Sequence, residues 1–139
     1  MIKRLFVPVL LFILITIAAV YYYVFVYSVQ NHRNINKETA ITIIADDLTQ
    51  QYADNETNAN TIYLNKVLLI KGVLLDTATN QEGNPTVTIG NPKSLSNVYI
   101  TLNERPNYKL IINDSIEIKG VCTGLLSDVI INEAQVIKN

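Results

Sequence analysis

A continuous apolar run near the amino terminus, residues 5–27, constrains this chain more than any other feature. None of residues 5–31 is ionised at neutral pH. As an α-helix the run would extend roughly 34 Å, slightly more than the hydrocarbon core of a bilayer, which is about 30 Å thick. Its far end carries rings of the kind found at membrane–water boundaries, namely Tyr21, Tyr22, Tyr23, Phe25 and Tyr27. The run therefore predicts one transmembrane helix that acts as a signal anchor.

Basic residues on the two sides of this run set the expected orientation. Lys3 and Arg4 precede it, and Arg33 and Lys37 follow it. Because a short basic tail is difficult to translocate, this bias favours a cytoplasmic amino terminus. We therefore expect an inner (cytoplasmic) membrane protein that crosses once and carries its carboxy-terminal domain in the periplasm or outside the cell.

The same features divide the sequence into four parts. We expect, in order, a cytoplasmic tail, the transmembrane signal anchor, a juxtamembrane linker, and a helical extension followed by the main domain: residues 1–4, 5–27, 28–36 and 37–139. The alternative for the apolar run is a signal peptide cleaved after Ala19, which would leave an exposed apolar tail. No cysteine follows the run directly, so a lipid-modified start is excluded.

Composition removes several classes of function. With one Cys, one His and no Trp, the chain has no disulfide framework, no Cys-rich zinc module and no histidine ligand cluster. Beyond the apolar run, nine basic and twelve acidic residues give a net charge of −3, and the cations are scattered singly rather than grouped. No catalytic motif is present either. We therefore expect no enzyme activity, no metal and no cofactor, and nucleic acid is a poor partner.

The segment that follows the linker has the spacing of an amphipathic helix. Over residues 37–52 the apolar side chains that share one side of that helix are Ile41, Ile44, Ala45, Leu48 and Tyr52. Asp54 is an N-cap candidate for a second short helix that runs to residue 59.

Five β segments follow, separated by clusters of Asn, Gly, Pro and Asp: residues 66–76, 86–90, 97–102, 115–124 and 128–137. The first is apolar on both faces, which suits a closed barrel with a helix packed outside. Glycines interrupt the first and fourth segments in matching contexts, at Gly72 and Gly120, and a glycine inside a strand marks a bulge or a bend. The pattern predicts a mainly β domain, a small five-stranded OB-fold barrel with an amino-terminal helical extension.

Two blocks of sequence carry a resemblance to a known family. The first lies between residues 45 and 73, and the second, more specific block is KGVCTGLLSDV at residues 119–129. Over about residues 38–137 the chain resembles the bacterial tRNA-anticodon-binding-like OB-fold family. The resemblance implies an OB-fold with a helical extension behind a membrane anchor or lipoprotein start, and the family name records fold similarity rather than tRNA binding. The chain departs from the family at residues 103–114, a short connection with Pro106 where a helix is usual.

The ligand face of an OB-fold normally lies on its second and third strands. Alternation along those strands places Val87, Ile89, Val98, Ile100 and Leu102 inward. The outward residues, and the candidate ligand-binding residues, are then Thr86, Thr88, Tyr99 and Thr101. Single-strand binders combine several rings with basic residues, whereas hydroxyl groups and one ring suit a peptide, a glycan or a small polar ligand.

Other notable residues have structural interpretations. Cys122 is in phase with the inward positions of its strand, so we expect a buried and inert thiol. Gly124 and Asp128 lie near the turn between the last two strands, where short polar side chains bond local backbone amides.

These observations favour a membrane-anchored, extracytoplasmic OB-fold module that binds or assembles without catalysis. Its expected partners are the membrane, through residues 5–27, and an envelope protein, peptide or glycan. The alternative is a nucleic-acid-binding OB-fold domain tethered to the cytoplasmic side of the membrane, which would need a clustered basic face.

Overall fold

The computed structural model describes residues 2–27 and 35–138. The chain divides into two compact units, Met1–Asn34 and Ile35–Asn139. Most of the predicted linker, residues 28–34, lies outside the described residues, as does the first residue of the predicted cytoplasmic tail.

The first unit contains helix α1 (Ile2–Tyr22), which is followed by a π-helical segment, Tyr23–Tyr27. The predicted transmembrane helix over residues 5–27 is wrong: among the described residues, no helix combines the length and apolar character needed to cross a membrane. The α-helical geometry ends at Tyr22, so the α-helical part of the predicted span, residues 5–22, reaches only about 27 Å, less than a core of about 30 Å.

The second unit begins with a 3₁₀ turn, Ile35–Lys37, and continues with two helices and six strands. The elements are, in chain order, β1 (Ile41–Ile44), α2 (Ala45–Asp54), α3 (Glu56–Tyr63), β2 (Val67–Thr79), β3 (Pro85–Gly90), β4 (Val98–Leu102), β5 (Ser115–Leu125) and β6 (Val129–Lys138). The five predicted β segments are therefore all present, as β2 to β6.

Strand β1 occupies the first half of the predicted helix over residues 37–52, and that half of the prediction is wrong. The sequence Ile-Thr-Ile-Ile is rich in β-branched residues, which favour strands, and β1 pairs in parallel with β2 from Ile41 opposite Leu68. Ile43 is buried, whereas Ile41 and Ile44 are exposed instead of facing the core. The helix begins only at Ala45.

Strands β2 to β6 close a barrel. Their order is β2, β3, β4, β6, β5, and β5 pairs back onto β2 from Val67 opposite Val121 to Val73 opposite Ser115. The β4–β6 pairing is parallel and the other barrel pairings are antiparallel. A closed five-stranded barrel with this order is the predicted OB-fold.

The barrel interior and helix α2 share one hydrophobic core. Leu48 and Tyr52 of α2 are buried against it, together with Ala59 and Tyr63 of α3. Asn55 caps α3, because its side-chain oxygen accepts a hydrogen bond from the Asn58 amide at 2.9 Å. The helical extension therefore packs on the barrel as one layer and continues its core.

The two strand glycines lie where elements approach most closely. A methyl group at Gly72 would be 2.9 Å from the Ala45 Cβ atom, at the start of α2. A methyl group at Gly120 would be 2.5 Å from Ile131 Cγ2 and 2.8 Å from the Ala134 Cβ atom of β6. Gly120 thus lets β6 lie tightly against β5.

Candidate functional site

Strands β3 and β4 bring the four predicted ligand-binding residues together on one face. The register pairs Thr86 with Thr101 and Thr88 with Tyr99, and directly opposed residues of an antiparallel pair lie on the same side of the sheet. The residues that alternate with them along the two strands are buried in the core: Val87, Ile89, Val98, Ile100 and Leu102.

The four residues differ in exposure. Thr88, Tyr99 and Thr101 are half-buried and accessible. Thr86 is only 1% exposed, and its hydroxyl group has no hydrogen-bond partner in the structure. The accessible part of this surface, which we call the strand face, therefore comprises Thr88, Tyr99 and Thr101.

A carboxylate borders the strand face. Asp76 of β2 lies directly opposite Thr88 in the β2–β3 register and is exposed. Sequence reasoning did not include Asp76, because a β-bulge between Leu74 and Asp76 changes which β2 side chains lie beside those of β3. The strand face contains two hydroxyl-bearing threonines, one phenol ring and this neighbouring negative charge.

A pocket of about 400 Å³, which we call the loop pocket, lies beside the strand face. It is bounded by the end of β2, the start of β3 and the β4–β5 connection. The lining side chains of the connection are Arg105, Pro106, Tyr108, Lys109 and Leu110, and those of the strands are Thr77, Ala78, Thr79, Pro85, Thr86, Val87 and Leu102. Sequence reasoning missed this pocket, although two cations and a ring within one short connection were a visible signal.

Two interactions hold the β4–β5 connection against the barrel. Leu110 is partly buried and packs against the barrel core. The Arg105 guanidinium donates a hydrogen bond to the Thr79 hydroxyl at 3.3 Å, which draws the connection toward β2. Residues 103–114 contain no helix in the structure, in agreement with the departure at Pro106.

Cys122 is fully buried beside the helical layer. Its sulfur atom lies 3.3 Å from the Tyr52 hydroxyl, which donates a hydrogen bond to the Asn60 side-chain oxygen at 3.1 Å. Burial, followed by the hydrogen bond with Cys122, raises the pKa of Tyr52 well above its ordinary value of 10.0. The hydroxyl group of Tyr52 and the thiol of Cys122 thus lie within hydrogen-bond distance, and they join α2 to β5.

Asp128 and Gly124 shape the turn between β5 and β6. The Asp128 carboxylate accepts a hydrogen bond from the Asn97 amide at 2.8 Å, which ties this turn to the start of β4. Gly124 is buried with φ at +107°, a conformation that favours glycine. Asp128 therefore braces two connections of the barrel.

Metal-binding side chains do not converge in the part of the chain that the structure describes. No group of three His, Cys, Asp or Glu residues in residues 2–27 and 35–138 could hold a metal ion.

The barrel order, the helical layer and the strand face define an OB-fold protein. The family model named tRNA_anti-like matches residues 1–136, and the chain belongs to this family. Among solved structures, the chain is similar to a "putative nucleic acid-binding lipoprotein" from Klebsiella pneumoniae subsp. pneumoniae MGH 78578. The TM-score is 0.52 at 16% identity, and the match covers 70% of this chain and 92% of that one, which supports the fold. None of the curated proteins compared with the chain matches it.

Proposed function

We propose that this protein is a non-catalytic binding module whose strand face takes a peptide, a glycan or a small polar ligand. The observation that carries the proposal is the strand face itself, where Thr88, Tyr99 and Thr101 are accessible on the two strands that bind ligands in OB-folds. Threonine hydroxyl groups both donate and accept hydrogen bonds, and a tyrosine ring offers an apolar surface with a polar end.

Charge supports a ligand other than nucleic acid at this face. Phosphate backbones are bound by Lys and Arg, yet the strand face contains neither, and Asp76 adds a negative charge beside Thr88. The net charge of −3 on residues 28–139 adds a general repulsion of polyanions. Tyr99 is also the single ring on the strand face, whereas stacking of successive bases uses several.

The alternative is a nucleic-acid-binding domain on the cytoplasmic side of a membrane. Two observations favour it: the similar Klebsiella protein is described as nucleic acid-binding, and Arg105 and Lys109 line the neighbouring loop pocket. Against it stands the carboxylate of Asp76, which lies directly opposite Thr88 and next in sequence to Thr77 of the pocket lining.

We also propose that residues 5–27 contact a membrane and that the barrel domain lies outside the cytoplasm. The side chains of α1 support the first part, since Val9, Val20 and the large apolar residues of 11–17 are exposed. A basic pair, Lys3 and Arg4, ahead of an apolar run is also the pattern of an export signal, which supports the second part. Fusions after Asn139 to a phosphatase active only outside the cytoplasm, and to a fluorescent protein that folds only inside, test this placement. Phosphatase activity in the membrane fraction supports it, and fluorescence from the second fusion contradicts it.

The strand-face proposal is tested by photo-crosslinking in the cells that produce the protein. A photo-reactive benzoylphenylalanine replaces Thr88 in one variant and Thr101 in another, because both side chains are accessible on the strand face. Thr57, an exposed threonine at the start of α3, receives the same replacement as a matched control. Adducts are separated on gels, weighed by mass spectrometry and digested with protease, glycoside hydrolase or nuclease.

The proposal predicts adducts from Thr88 and Thr101 but not from Thr57, and these adducts resist nuclease. Loss of the added mass on protease or glycoside hydrolase treatment identifies a peptide or a glycan, and a resistant increment of small mass identifies a small ligand. A nuclease-sensitive adduct contradicts the proposal and supports the alternative. The absence of adducts from both strand-face positions also contradicts it.

A further inference from the structure

We propose that the loop pocket binds a small aromatic oxyanion, a ligand in which a carboxylate or a phosphate is joined to a ring. This site is separate from the strand face and does not depend on the function proposed for it. The inference rests on the charge, the polar groups and the shape of the pocket.

The charge of the pocket is opposite to that of the domain around it. Arg105 and Lys109 line the pocket, and none of its lining residues is Asp or Glu. Neither cation forms an ion pair within the described residues. A lining with two positive charges and no carboxylate, on a part of the chain (residues 28–139) whose net charge is −3, selects for an anion.

The arrangement of donors fits an oxyanion more closely than a halide ion. The Arg105 guanidinium donates to the Thr79 hydroxyl at 3.3 Å, which places its planar group of donors against the β2 wall of the pocket. A guanidinium has five N–H donors in a fork that matches two oxygen atoms of a carboxylate or phosphate. Lys109 adds a second cation from the same connection.

A buried polar group at the pocket wall lacks a protein partner. Thr86 lines the pocket, is 1% exposed, and has a hydroxyl group with no hydrogen-bond partner in the structure. Buried hydroxyl groups are normally hydrogen-bonded, because an unpaired one costs free energy. An oxyanion in the pocket would supply an acceptor for this hydroxyl group.

The apolar part of the pocket lining fits the ring of the proposed ligand. Val87, Leu102 and Leu110 give the pocket an apolar side, and the Tyr108 ring lies in the same connection as the cations. A volume of about 400 Å³ falls within the range of small-molecule sites. A ring can therefore pack on the apolar side while its oxyanion meets Arg105 and Lys109.

The test uses phenyl phosphate and benzoate as probes and the full chain in neutral detergent. Ligand-observed NMR at low salt measures the affinity of each probe, and phenol and inorganic phosphate serve as the two half-ligands. Arg105→Gln/Lys109→Gln removes the charges, Lys66→Gln/Lys93→Gln removes two exposed charges outside the pocket, and Thr86→Val removes the buried hydroxyl group. All four cations are exposed, so these changes leave the core intact.

The proposal predicts that at least one aromatic oxyanion binds more tightly than phenol and inorganic phosphate. Binding should weaken at least about tenfold in Arg105→Gln/Lys109→Gln, weaken by a smaller factor in Thr86→Val, and stay within about twofold in Lys66→Gln/Lys93→Gln. Preference for phenyl phosphate or for benzoate identifies the oxyanion. Equal weakening in the two double variants would reduce the effect to general charge and overturn the proposal, as would an absence of binding by both probes at about 10 mM.

Discussion

The substitution Gly120→Ala tests the packing of the barrel most sharply. The added methyl group would lie 2.5 Å from Ile131 Cγ2 and 2.8 Å from the Ala134 Cβ atom, whereas carbon atoms in contact are separated by about 3.5–4.0 Å. Relief requires a shift of roughly 1 Å between β5 and β6. Because both neighbours are themselves buried, they cannot turn away into solvent.

These distances set the expected loss in the free energy of unfolding. Overpacking of a core costs about 1–3 kcal/mol, and two contacts below 3.0 Å place Gly120→Ala near the top of this range. Replacement of a glycine by alanine returns about 0.4–1 kcal/mol, because the unfolded chain loses freedom. The net loss in the free energy of unfolding should therefore be about 2 kcal/mol.

Gly72→Ala is the matched control. Its methyl group would meet one atom at 2.9 Å and two at 3.3 Å, so the cost of overpacking is about 1 kcal/mol and nearly balances the gain from the unfolded state. Urea unfolding followed by circular dichroism, on the full chain in neutral detergent, measures both variants. A loss in Gly120→Ala equal to or smaller than that in Gly72→Ala would refute the packing argument.

Two further substitutions test the helical layer. Tyr52→Phe removes the hydroxyl group that bonds Asn60 and Cys122 and should cost about 1 kcal/mol. Since folding raises the pKa of Tyr52, its contribution to stability is complete below about pH 10 and is lost as the pH rises further, so the alkaline decline of stability should be shallower in Tyr52→Phe. Asn55→Ala removes the cap of α3 and should cost about 1 kcal/mol, whereas Asn55→Ser should cost much less; equal losses in these two variants would contradict the capping role.

The strands of the barrel were predictable because the sequence pattern that identifies each strand lies within that strand and its flanking turns. Alternating apolar residues and clusters of turn residues identify each of β2 to β6, and the interior glycines indicate a closed barrel. Strand β1 escaped prediction because four residues are too few for a clear alternation, and its partner in β2 is distant along the chain. The α2 residues Leu48 and Tyr52 continued the same apolar spacing, so the strand was read as part of the helix.

The candidate sites were only partly predictable, because part of each depends on contacts between residues that are distant along the chain. Alternation placed Thr88, Tyr99 and Thr101 on one face, but it could not show that Thr86 is covered. That burial, like the loop pocket, depends on how residues 103–114 fold back against β2 and β3. The length of the apolar run also predicted a membrane span, whereas no helix among the described residues combines the length and apolar character needed to cross a membrane.

The most direct test of the central claim is the affinity of the full chain for single-stranded nucleic acid. Fluorescence anisotropy of a labelled oligothymidine of about 12 nucleotides, which can occupy an OB-fold, is measured at 50 and 200 mM salt. The strand face lacks cations and adjoins Asp76, so we predict no saturable binding up to about 100 μM protein at either salt concentration. Saturable binding that weakens at least about tenfold between 50 and 200 mM salt would contradict the account and identify a nucleic-acid-binding domain.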